Sequence, residues 1–502
     1  RLDGGTFNLN GANNAIVMTQ TLGPLTLASG PSVINVTRAA GTPQLVFGSL
    51  SLNRGAFVNF TGTLLGSGAA DGRIIFTAAP TLVGGGGAAG TKTMSIVPGA
   101  RSGNDLVWYG ANGIRPLVAA EYNDVSGNDI NGAGATENVR ITLAAPAAFV
   151  ALSGPKTINS LVLTAAATAT WAMGNTLTLT SGQLISPNNN RNITSGTLTA
   201  GTGGPVDLDI TVVSGTTAFD TSAIISNNGT GVVTLVKNGV STLTLANNTV
   251  DNAYSGGPIV NEGSLTTVAT ANRRYLGTGP VRVDNAALTL GAIGATANAA
   301  GTDYTATNGA QIAIATAAYA AADTFKIAPR SVITGGVGAG TGLNSLNRGI
   351  GGSSPTNIVL AADAIIGHPG LTAALNLDSG TIKNLGTSVD LYYGLNAAQN
   401  NVAGVVTIGS GTAFKGVSTF RTAASWNLGT INVAAGTGDI YLQGLGVPAV
   451  YPAILTIGNG VTVGNGGPVV NLAGAGELNA NVLGAVTLDD DSFGFGNTGA
   501  GK

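Results

Sequence analysis

Residues 176–200 read TLTLTSGQLISPNNNRNITSGTLTA, and this stretch shows the pattern on which the fold prediction rests. The triplet Leu177-Thr178-Leu179 alternates apolar and polar residues, and Leu198 lies in a second alternating run. Alternation with a period of two places the apolar side chains on one face of a strand, and clusters of Gly, Asn and Ser supply turns. The stretch therefore predicts short, half-buried strands separated by turns.

Similar triplets recur along the whole chain. They are Leu25-Thr26-Leu27, Leu50-Ser51-Leu52, Leu243-Thr244-Leu245, Leu288-Thr289-Leu290, Leu375-Asn376-Leu377 and Val461-Thr462-Val463. Several spacings are close to one coil of a solenoid, since Leu177 to Leu198 is 21 residues and Leu243 to Leu265 is 22. Leu161 to Leu177 is 16 residues, which breaks this step. The chain therefore contains a degenerate repeat of short strands.

Two architectures fit strands of this length and spacing: a parallel β-solenoid and a string of small β-sandwiches. The inward positions of a narrow coil take Ala, Val, Leu, Ile and Thr, and a polar outer face of Thr, Ser and Asn needs few charges. A sandwich of this length would carry more aromatic residues and longer strands. We predict an all-β, elongated parallel β-solenoid with irregular coils and a side excursion.

The composition excludes several classes of protein. The 502 residues include 44% hydrophobic, 9% charged and 5% aromatic residues, with a formal net charge of −2. Disordered chains combine low hydrophobicity with high net charge, and nucleic-acid binding requires a basic surface, so we expect neither. The absence of cysteine excludes disulfides and thiolate metal sites and agrees with a secreted bacterial protein. No apolar window approaches the roughly 18 residues of a transmembrane helix.

The predicted domain organisation has four parts. Residues 1–65 form solenoid coils, residues 66–138 an excursion or small lobe, residues 139–291 further coils, and residues 292–502 coils with an irregular insert at 292–324. The excursion contains the run Gly84 to Gly87, which we interpret as a flexible loop because no Gly-Lys-Ser/Thr follows it. The Ala-rich insert is the one place with a weak helical tendency.

A search for reactive groups assigns no catalytic, cofactor-binding or metal-binding residue, and we expect no cofactor and no enzyme activity. The single histidine, His368, fits a turn, and Asp489-Asp490-Asp491 fits a solvated turn better than a calcium site because successive strand residues alternate faces. Gly436-Thr437-Gly438-Asp439 contains half of a calcium-binding nonapeptide without its flanking repeats.

Paired carboxylates give the sharpest enzyme hypothesis. Asp207 and Asp209 are two residues apart and hence on one face of a strand, with Asp220 further on, and such pairs cleave glycosides in other proteins. No Arg or Lys lies near the pair in sequence, which favours a surface feature.

Aromatic residues offer a candidate sugar-stacking platform, formed by Trp108-Tyr109, Tyr392-Tyr393 and Trp426. For Trp171 and Trp426 we favour a core position, and Trp108-Tyr109 fits either role.

Residues 235–291 resemble a known family. The segments are Leu235-Val236-Lys237-Asn238-Gly239, then Tyr254-Ser255-Gly256-Gly257-Pro258-Ile259-Val260-Asn261-Glu262-Gly263, then Leu276-Gly277-Thr278-Gly279-Pro280-Val281. They resemble the autotransporter-associated β-strand repeat, which lies in large bacterial surface or secreted proteins and builds parallel β passenger regions. The resemblance implies architecture and location and implies no catalytic residue. The insertion Val250-Asp251-Asn252 departs from the family pattern.

Together these observations predict an extracellular or cell-surface structural protein, a rigid β-rod that assembles into a fibre or sheath. One alternative is an adhesin that presents a lobe near residues 66–138 to glycans or cells, and another is a polysaccharide-degrading β-helix enzyme. The expected partner is a second copy of the chain, head to tail through the N- and C-terminal regions. Strand-like Phe7-Asn8-Leu9 and the segment 491–496 lack a capping helix or charged cap and would present unpaired edges.

Overall fold

The computed structural model describes residues 1–314 except 126, 143–148, 165–168, 188–190, 215–218, 248, 269–272 and 292–301, and beyond residue 314 it describes the strand backbone. The chain forms an all-β parallel β-solenoid, which confirms the predicted fold class. Among the described residues the one helical element is a 3₁₀ turn, Ala119–Glu121. In the same residues no helix has the length and apolar character needed to cross a membrane.

The chain divides into two units. The first comprises Arg1–Thr266 with Tyr275–Gly279, and the second comprises Thr267–Arg274 with Pro280–Lys502. Within the first unit we distinguish an N-terminal lobe and a main solenoid. The lobe contains strands β1 (Leu2–Asn10), β2 (Val17–Thr21), β3 (Leu25–Thr37), β4 (Thr42–Phe47), β5 (Leu50–Leu52), β6 (Phe57–Thr61), β7 (Arg73–Phe76), β8 (Ala100–Ser102), β9 (Asp105–Gly110) and β10 (Gly113–Pro116).

The N-terminal lobe is a short solenoid of two sheets. One sheet has the order β1-β3-β6-β8-β9-β10, with β5 also paired to β3, and the other has the order β2-β4-β7. All pairs are parallel except β8–β9 and β9–β10, which are antiparallel. The core between the sheets is apolar and includes Leu27, Ile34, Leu45, Phe60 and Phe76. The antiparallel hairpin ends the lobe, and the chain continues into the main solenoid.

The main solenoid of the first unit contains sixteen strands. They are β11 (Asn123–Val125), β12 (Asn138–Ile141), β13 (Lys156–Ile158), β14 (Ser160–Leu163), β15 (Ala169–Ala172), β16 (Thr176–Leu179), β17 (Gln183–Ser186), β18 (Arg191–Thr194), β19 (Thr197–Ala200), β20 (Val206–Val212), β21 (Phe219–Thr221), β22 (Ile224–Ile225), β23 (Val233–Asn238), β24 (Thr242–Leu245), β25 (Pro258–Val260) and β26 (Ser264–Thr267).

These strands form three parallel sheets. Face A has the order β11-β12-β14-β17-β20-β23-β25, face B the order β13-β16-β19-β22, and face C the order β15-β18-β21-β24-β26. One turn therefore contributes one strand to each face, as β16, β17 and β18 do. The strands of successive turns are parallel, which excludes the alternative of small sandwiches, whose sheets are antiparallel.

The leucines of the predicted triplets form the core, as expected. Their side chains are between 0% and 1% exposed at Leu177, Leu179, Leu243, Leu245, Leu265, Leu288 and Leu290. The predicted coil step is also confirmed, because Leu177 pairs with Leu198 in the neighbouring turn. The short spacing from Leu161 to Leu177 joins strands of two different faces, and Leu161 pairs with Leu184 instead.

Glycine is required where the chain turns between faces B and A. Gly182, directly before β17, has φ +75°, and a Cβ there would lie 1.9 Å from the backbone oxygen of Asp207 in the next turn. A side chain at this position would both strain the backbone and collide with β20. The glycine of the Thr180-Ser181-Gly182 turn therefore allows successive coils to stack closely.

The second unit continues the same architecture. Its strands are β27 (Val281–Asp284), β28 (Ala287–Leu290), β29 (Asp303–Thr307), β30 (Gln311–Ile314), β31 (Thr324–Ile327), β32 (Val332–Gly335), β33 (Asn357–Leu360), β34 (Ile365–Ile366), β35 (Leu375–Leu377), β36 (Val389–Leu391), β37 (Val402–Ile408), β38 (Ser418–Thr422), β39 (Leu428–Val433), β40 (Ile440–Gly444), β41 (Ile454–Ile457), β42 (Thr462–Val463), β43 (Val470–Ala473), β44 (Ala480–Val482), β45 (Thr487–Leu488) and β46 (Gly496–Asn497).

Within the second unit the strands are again parallel. One sheet has the order β27-β29-β31-β33-β35-β37-β39-β41-β44, and a second has the order β28-β30-β32-β34. A third has the order β36-β38-β40-β43-β46, and β42 pairs with β45. Inside the Ala-rich segment 292–324, β29 pairs with β27 and β30 pairs with β28. The weak helical tendency inferred for this segment is therefore wrong at residues 303–307 and 311–314, where neighbouring strands determine the conformation. The predicted domain boundaries stay a prediction.

Replacing Leu177 by Ala tests the assignment of the core. We expect the free energy of unfolding to fall by about 2–5 kcal/mol, because the change leaves a cavity in a fully buried column. The outward-facing Thr178→Ala on the same strand should change it by no more than about 1 kcal/mol. Urea denaturation followed by circular dichroism measures both, and equal effects of the two substitutions would contradict the assignment.

Candidate functional site

The polar cluster that stands out in the first unit lies where the N-terminal lobe packs on face A. A cleft of about 260 Å³ opens there between the two. Its lining residues are Leu52, Asn53, Arg54, Ala56, Pro98 and Gly99 from the lobe, and Ser181, Gln183, Pro205, Val206, Asp207, Asp209 and Val236 from the main solenoid. We call it the interface cleft.

Asp207 and Asp209 reach the interface cleft because they alternate with apolar residues along β20. Leu208 and Ile210 are fully buried in the core, so the two carboxylates point to the opposite side, toward the lobe. The prediction that both share one face of a strand is therefore confirmed. Asp220, the third predicted carboxylate, lies on β21 in face C and does not join them.

Asp207 ties the lobe to face A. Its Oδ2 accepts a hydrogen bond of 2.7 Å from the backbone N–H of Gly55. Arg54 Nε lies 3.6 Å from Asp207 Oδ1, which is an ion pair. Burial raises the pKa of the Asp207 carboxyl, against the lowering effects of the Gly55 N–H and of Arg54. Gly55 has φ +75°, a backbone conformation that favours glycine, and a Cβ there would also crowd the Ile259 side chain.

Asp209 lies deeper, and its side chain is 5% exposed. Thr211 Oγ1 donates a hydrogen bond of 2.8 Å to Asp209 Oδ1. Burial raises the pKa of Asp209 to about 7, and the charge of Asp207 acts in the same direction, while Asn238, Thr211 and Arg101 oppose it. Burial thus favours the protonated carboxyl of Asp209 more than it would at an exposed aspartate.

Gln183 forms the floor of the cleft next to Asp209, its backbone partner in the sheet. Its Nε2 donates a hydrogen bond of 3.1 Å to the backbone oxygen of Ala100 in the lobe. Among the described residues no group donates to Gln183 Oε1, although the side chain is 2% exposed. Because Ala100 offers an acceptor, the amide orientation is fixed and the oxygen remains the unpaired atom.

Lys237, on β23, is fully buried close to this site. Its Nζ donates to the backbone oxygens of Asn238 at 2.8 Å, Gly239 at 2.6 Å and Glu262 at 3.0 Å, which uses all three ammonium protons. Glu262 Oε2 in turn accepts from the N–H of Gly239 at 2.9 Å. Burial lowers the pKa of Lys237 to about 7, against the charges of Glu262 and Asp209. Lys237 thus links the corner of its own turn, at Asn238 and Gly239, to Glu262 in the next turn.

Side-chain amides fasten the rest of the lobe to face A. Asn138 Nδ2 donates to the backbone oxygen of Met94 at 2.8 Å, and Asn159 Nδ2 donates to Asn138 Oδ1 at 2.7 Å. At the other end Asn261 Nδ2 donates to the backbone oxygen of Gly55 at 2.6 Å. An apolar cluster accompanies them, formed by Ile96, Leu106, Leu117, Tyr122, Val162 and Ile185. The lobe is therefore held by a continuous interface.

The run Gly84 to Gly87 belongs to this interface as well. A Cβ on Gly84 would lie 2.7 Å from Ser95 Cα, and one on Gly85 would lie 2.8 Å from Thr136 Oγ1. The run lies outside the strands, which agrees with the predicted loop, and its glycines leave room for close packing there. Its flexibility stays a prediction.

The aromatic candidates fall into separate places. Trp171 is 1% exposed and stacks on Phe149 with ring centroids 5.5 Å apart, which confirms its core position. Tyr109 donates through its hydroxyl to the backbone oxygen of Phe76 at 2.6 Å. The half-buried Trp108 stacks against the Arg115 guanidinium at 4.5 Å. Tyr109 and Trp108 thus make their contacts within the N-terminal lobe.

Several other candidates lie outside the described residues. They are His368, Tyr392-Tyr393, Trp426, Gly436 to Asp439 and Asp489 to Asp491. In the described part of the chain, no group of three or more His, Cys, Asp or Glu residues is placed to hold a metal ion.

Comparison with known proteins shows a distant similarity to a bacterial adhesin. The chain is 30% identical over 283 residues to a protein named adhesin BmaC autotransporter, from Brucella suis biovar 1 (strain 1330). The similarity covers 54% of this chain and 7% of that protein, so the chain spans a small fraction of its relative's length. No protein-family model and no solved structure matches the chain. The similarity to an autotransporter adhesin is thus distant, and the repeat assignment at residues 235–291 stays a prediction.

Replacing Asp209 by Asn tests the buried carboxylate. A carboxyl whose pKa is raised on folding weakens the fold as pH rises from about 4, and the loss is complete above about 7. We expect Asp209→Asn, which keeps the acceptor for Thr211, to raise stability at pH 8 by roughly 1–4 kcal/mol and to flatten the decline between pH 4 and 7. Urea midpoints across pH measure this, with Asp220→Asn as control. An unchanged pH profile of Asp209→Asn would contradict it.

Replacing Lys237 by Met tests the corner cap. The change leaves three buried carbonyl oxygens without their donor, so we expect a loss of about 3–5 kcal/mol in the free energy of unfolding. The matched control is Lys156→Met, since the half-buried Lys156 donates to the backbone oxygen of Asn131 at 2.7 Å and should cost about 1 kcal/mol. Similar losses for the two variants would rule out a capping role.

Proposed function

We propose that the chain is a structural segment of a bacterial surface protein, a rigid β-solenoid that serves as a stalk or fibre. One observation carries the proposal: successive turns of the main solenoid pair in parallel, on face A from β11 to β25, on face B from β13 to β22 and on face C from β15 to β26. Backbone pairing of this kind resists bending because every strand is bonded on both sides. The similarity to a bacterial adhesin autotransporter supports the location on the cell surface.

Side-chain hydrogen bonds between consecutive turns also support a mechanical role as a stalk. Lys237, Asn238 and Asn261 link consecutive turns at a corner of face A, and Asn261 Nδ2 donates to Asn238 Oδ1 at 2.9 Å. These bonds run along the stacking direction, in which a stalk is pulled. The proposal assigns the chain no reaction.

A second candidate is an adhesin in which the same solenoid presents a recognition surface. The name of the relative favours it, and so does the N-terminal lobe, which face A holds in a fixed position through Asp207, Gln183 and Asn261. A rigid stalk and a fixed lobe are compatible, because the stalk would carry the lobe away from the cell.

We also propose that copies of the chain associate head to tail. Among the described strands, β1 has one sheet neighbour, β3, so its other edge carries backbone groups that a strand of a second copy would pair with. A contact between two different ends gives an open filament unless the rotation between copies closes a ring.

Small-angle X-ray scattering and negative-stain electron microscopy of the purified chain test the stalk. We expect an elongated particle, because successive turns advance by about 4.8 Å each. A compact globular particle would overturn the proposal.

Sedimentation over a dilution series tests the association. We expect mass to rise with concentration, and Thr6→Lys with Asn8→Lys on the β1 edge should reduce the rise, since charge on an edge strand opposes pairing. Thr178→Lys on face B is the control and should leave it unchanged. A monomer at every concentration would refute the association and leave the stalk untouched.

A further inference from the structure

We propose that the interface cleft binds one neutral sugar unit of a glycan through Asp207, Asp209 and Gln183. This inference goes beyond the structural role, because a stalk needs no ligand. It rests on the polar groups that the docked lobe and face A leave without partners, on the balance of charge around them, and on the walls of the cleft.

The polar side of the cleft is short of hydrogen-bond donors. Among the described residues no hydrogen bond reaches Gln183 Oε1 or Asp207 Oδ1, although both atoms are removed from solvent; the ion pair from Arg54 Nε to Asp207 Oδ1 is 3.6 Å long, beyond hydrogen-bond distance. Leaving a buried acceptor unpaired costs free energy, so native structures satisfy such groups with protein, water or ligand. Asp209 adds a second carboxylate on the same side of β20. The missing partner is therefore a molecule that carries several donors.

The surrounding charges favour a neutral ligand over a cation. Asp207, Asp209 and Glu262 are matched by Arg54, Arg101 and Lys237, which act on them electrostatically. A metal ion or an amine would add an unbalanced charge next to the Arg54 guanidinium, whose Nε is 3.6 Å from Asp207 Oδ1. A hydroxyl group can donate to the Asp207 carboxylate and accept from Arg54 at the same time.

The walls complete the fit to a sugar ring. Leu52, Ala56, Pro98, Pro205 and Val206 present apolar surface beside the carboxylates. A pyranose has C–H groups on its faces and hydroxyls around its rim, so it matches a site with apolar walls and a few polar groups. The volume of about 260 Å³ is close to the lower end of the range for small-molecule sites, about 300–1,000 Å³, which fits one sugar unit.

Asp207 and Gln183 are anchored for this role. Asp207 Oδ2 is held by the Gly55 N–H and Gln183 Nε2 by the Ala100 oxygen, so the remaining oxygen of each side chain has a fixed position. Preorganised acceptors of this kind lower the cost of binding. The side chain of Asp207 is 30% exposed and that of Arg54 is 43% exposed, so these two make the first contact with a ligand.

Saturation-transfer-difference NMR on the full chain tests the site, with D-glucose, D-galactose, D-mannose and N-acetyl-D-glucosamine as separate probes. We expect transfer to at least one of them, with a dissociation constant on the order of 1 mM for so small a ligand. Asp207→Asn keeps an acceptor for the Gly55 N–H and should weaken binding by roughly 10-fold, since a charged acceptor is replaced by a neutral one. Asp220→Asn on face C is the matched control and should bind as the unchanged chain does.

Arg54→Gln separates a sugar from a cation. Loss of the guanidinium donor should weaken the binding of a hexose several-fold and would strengthen the binding of a cation to the same carboxylates. Circular dichroism checks that each variant is folded, and calcium titrated by calorimetry serves as the cation probe. The proposal is overturned if none of the four sugars shows transfer, if Asp207→Asn binds as tightly as the unchanged chain, or if calcium binds and Arg54→Gln binds it more tightly.

Discussion

Backbone pairing between successive turns is the constraint on which the rest of this structure depends. Each strand of the main solenoid finds its hydrogen-bond partners in the turns before and after it, so the register of one turn determines that of the next. Once register is fixed, Leu177 must stack on Leu198, and outward residues must stack on outward residues. Most inward positions then carry aliphatic side chains, which agrees with the low aromatic content of the sequence, and a few turns accept a ring, as at Trp171 and Phe219.

The same regularity explains why the polar groups collect on face A. An outer face that lay fully in water could carry any polar residue, but face A is covered by the N-terminal lobe, and its outward positions are therefore buried. Asn138, Asn159, Gln183 and Asn261 satisfy backbone groups of the lobe, and Asp207 satisfies one more. Packing of the N-terminal lobe against face A thus buries polar side chains of the sheet and gives them specific hydrogen-bond partners.

Local pattern predicted the strands of the main solenoid well and its lateral contacts poorly. The two-residue period of Leu243-Thr244-Leu245 places both leucines in the core, and this inference does not depend on residues distant in sequence. The same rule places Asp207 and Asp209 on one face of a strand. Arg54 and Arg101, which act electrostatically on these carboxylates, come from the lobe more than 100 residues earlier in the chain. No periodicity connects the two segments, so the sequence suggested a carboxylate pair without a basic partner. The inferred helical tendency of the Ala-rich segment fails for a related reason at residues 303–307 and 311–314, where pairing with neighbouring strands outweighs a weak local preference.

The cap formed by Lys237 has a consequence for the order in which the chain folds. One of its three acceptors, the backbone oxygen of Glu262, belongs to the following turn. Until that turn has closed, the ammonium group lacks one of its three acceptors, so a turn is completed by its successor rather than by itself. Folding of adjacent turns is therefore coupled, and the growing end of the solenoid is always its least finished part. A chain that folds from its N-terminal end would do so by such stepwise addition, and each new turn would secure the one before it.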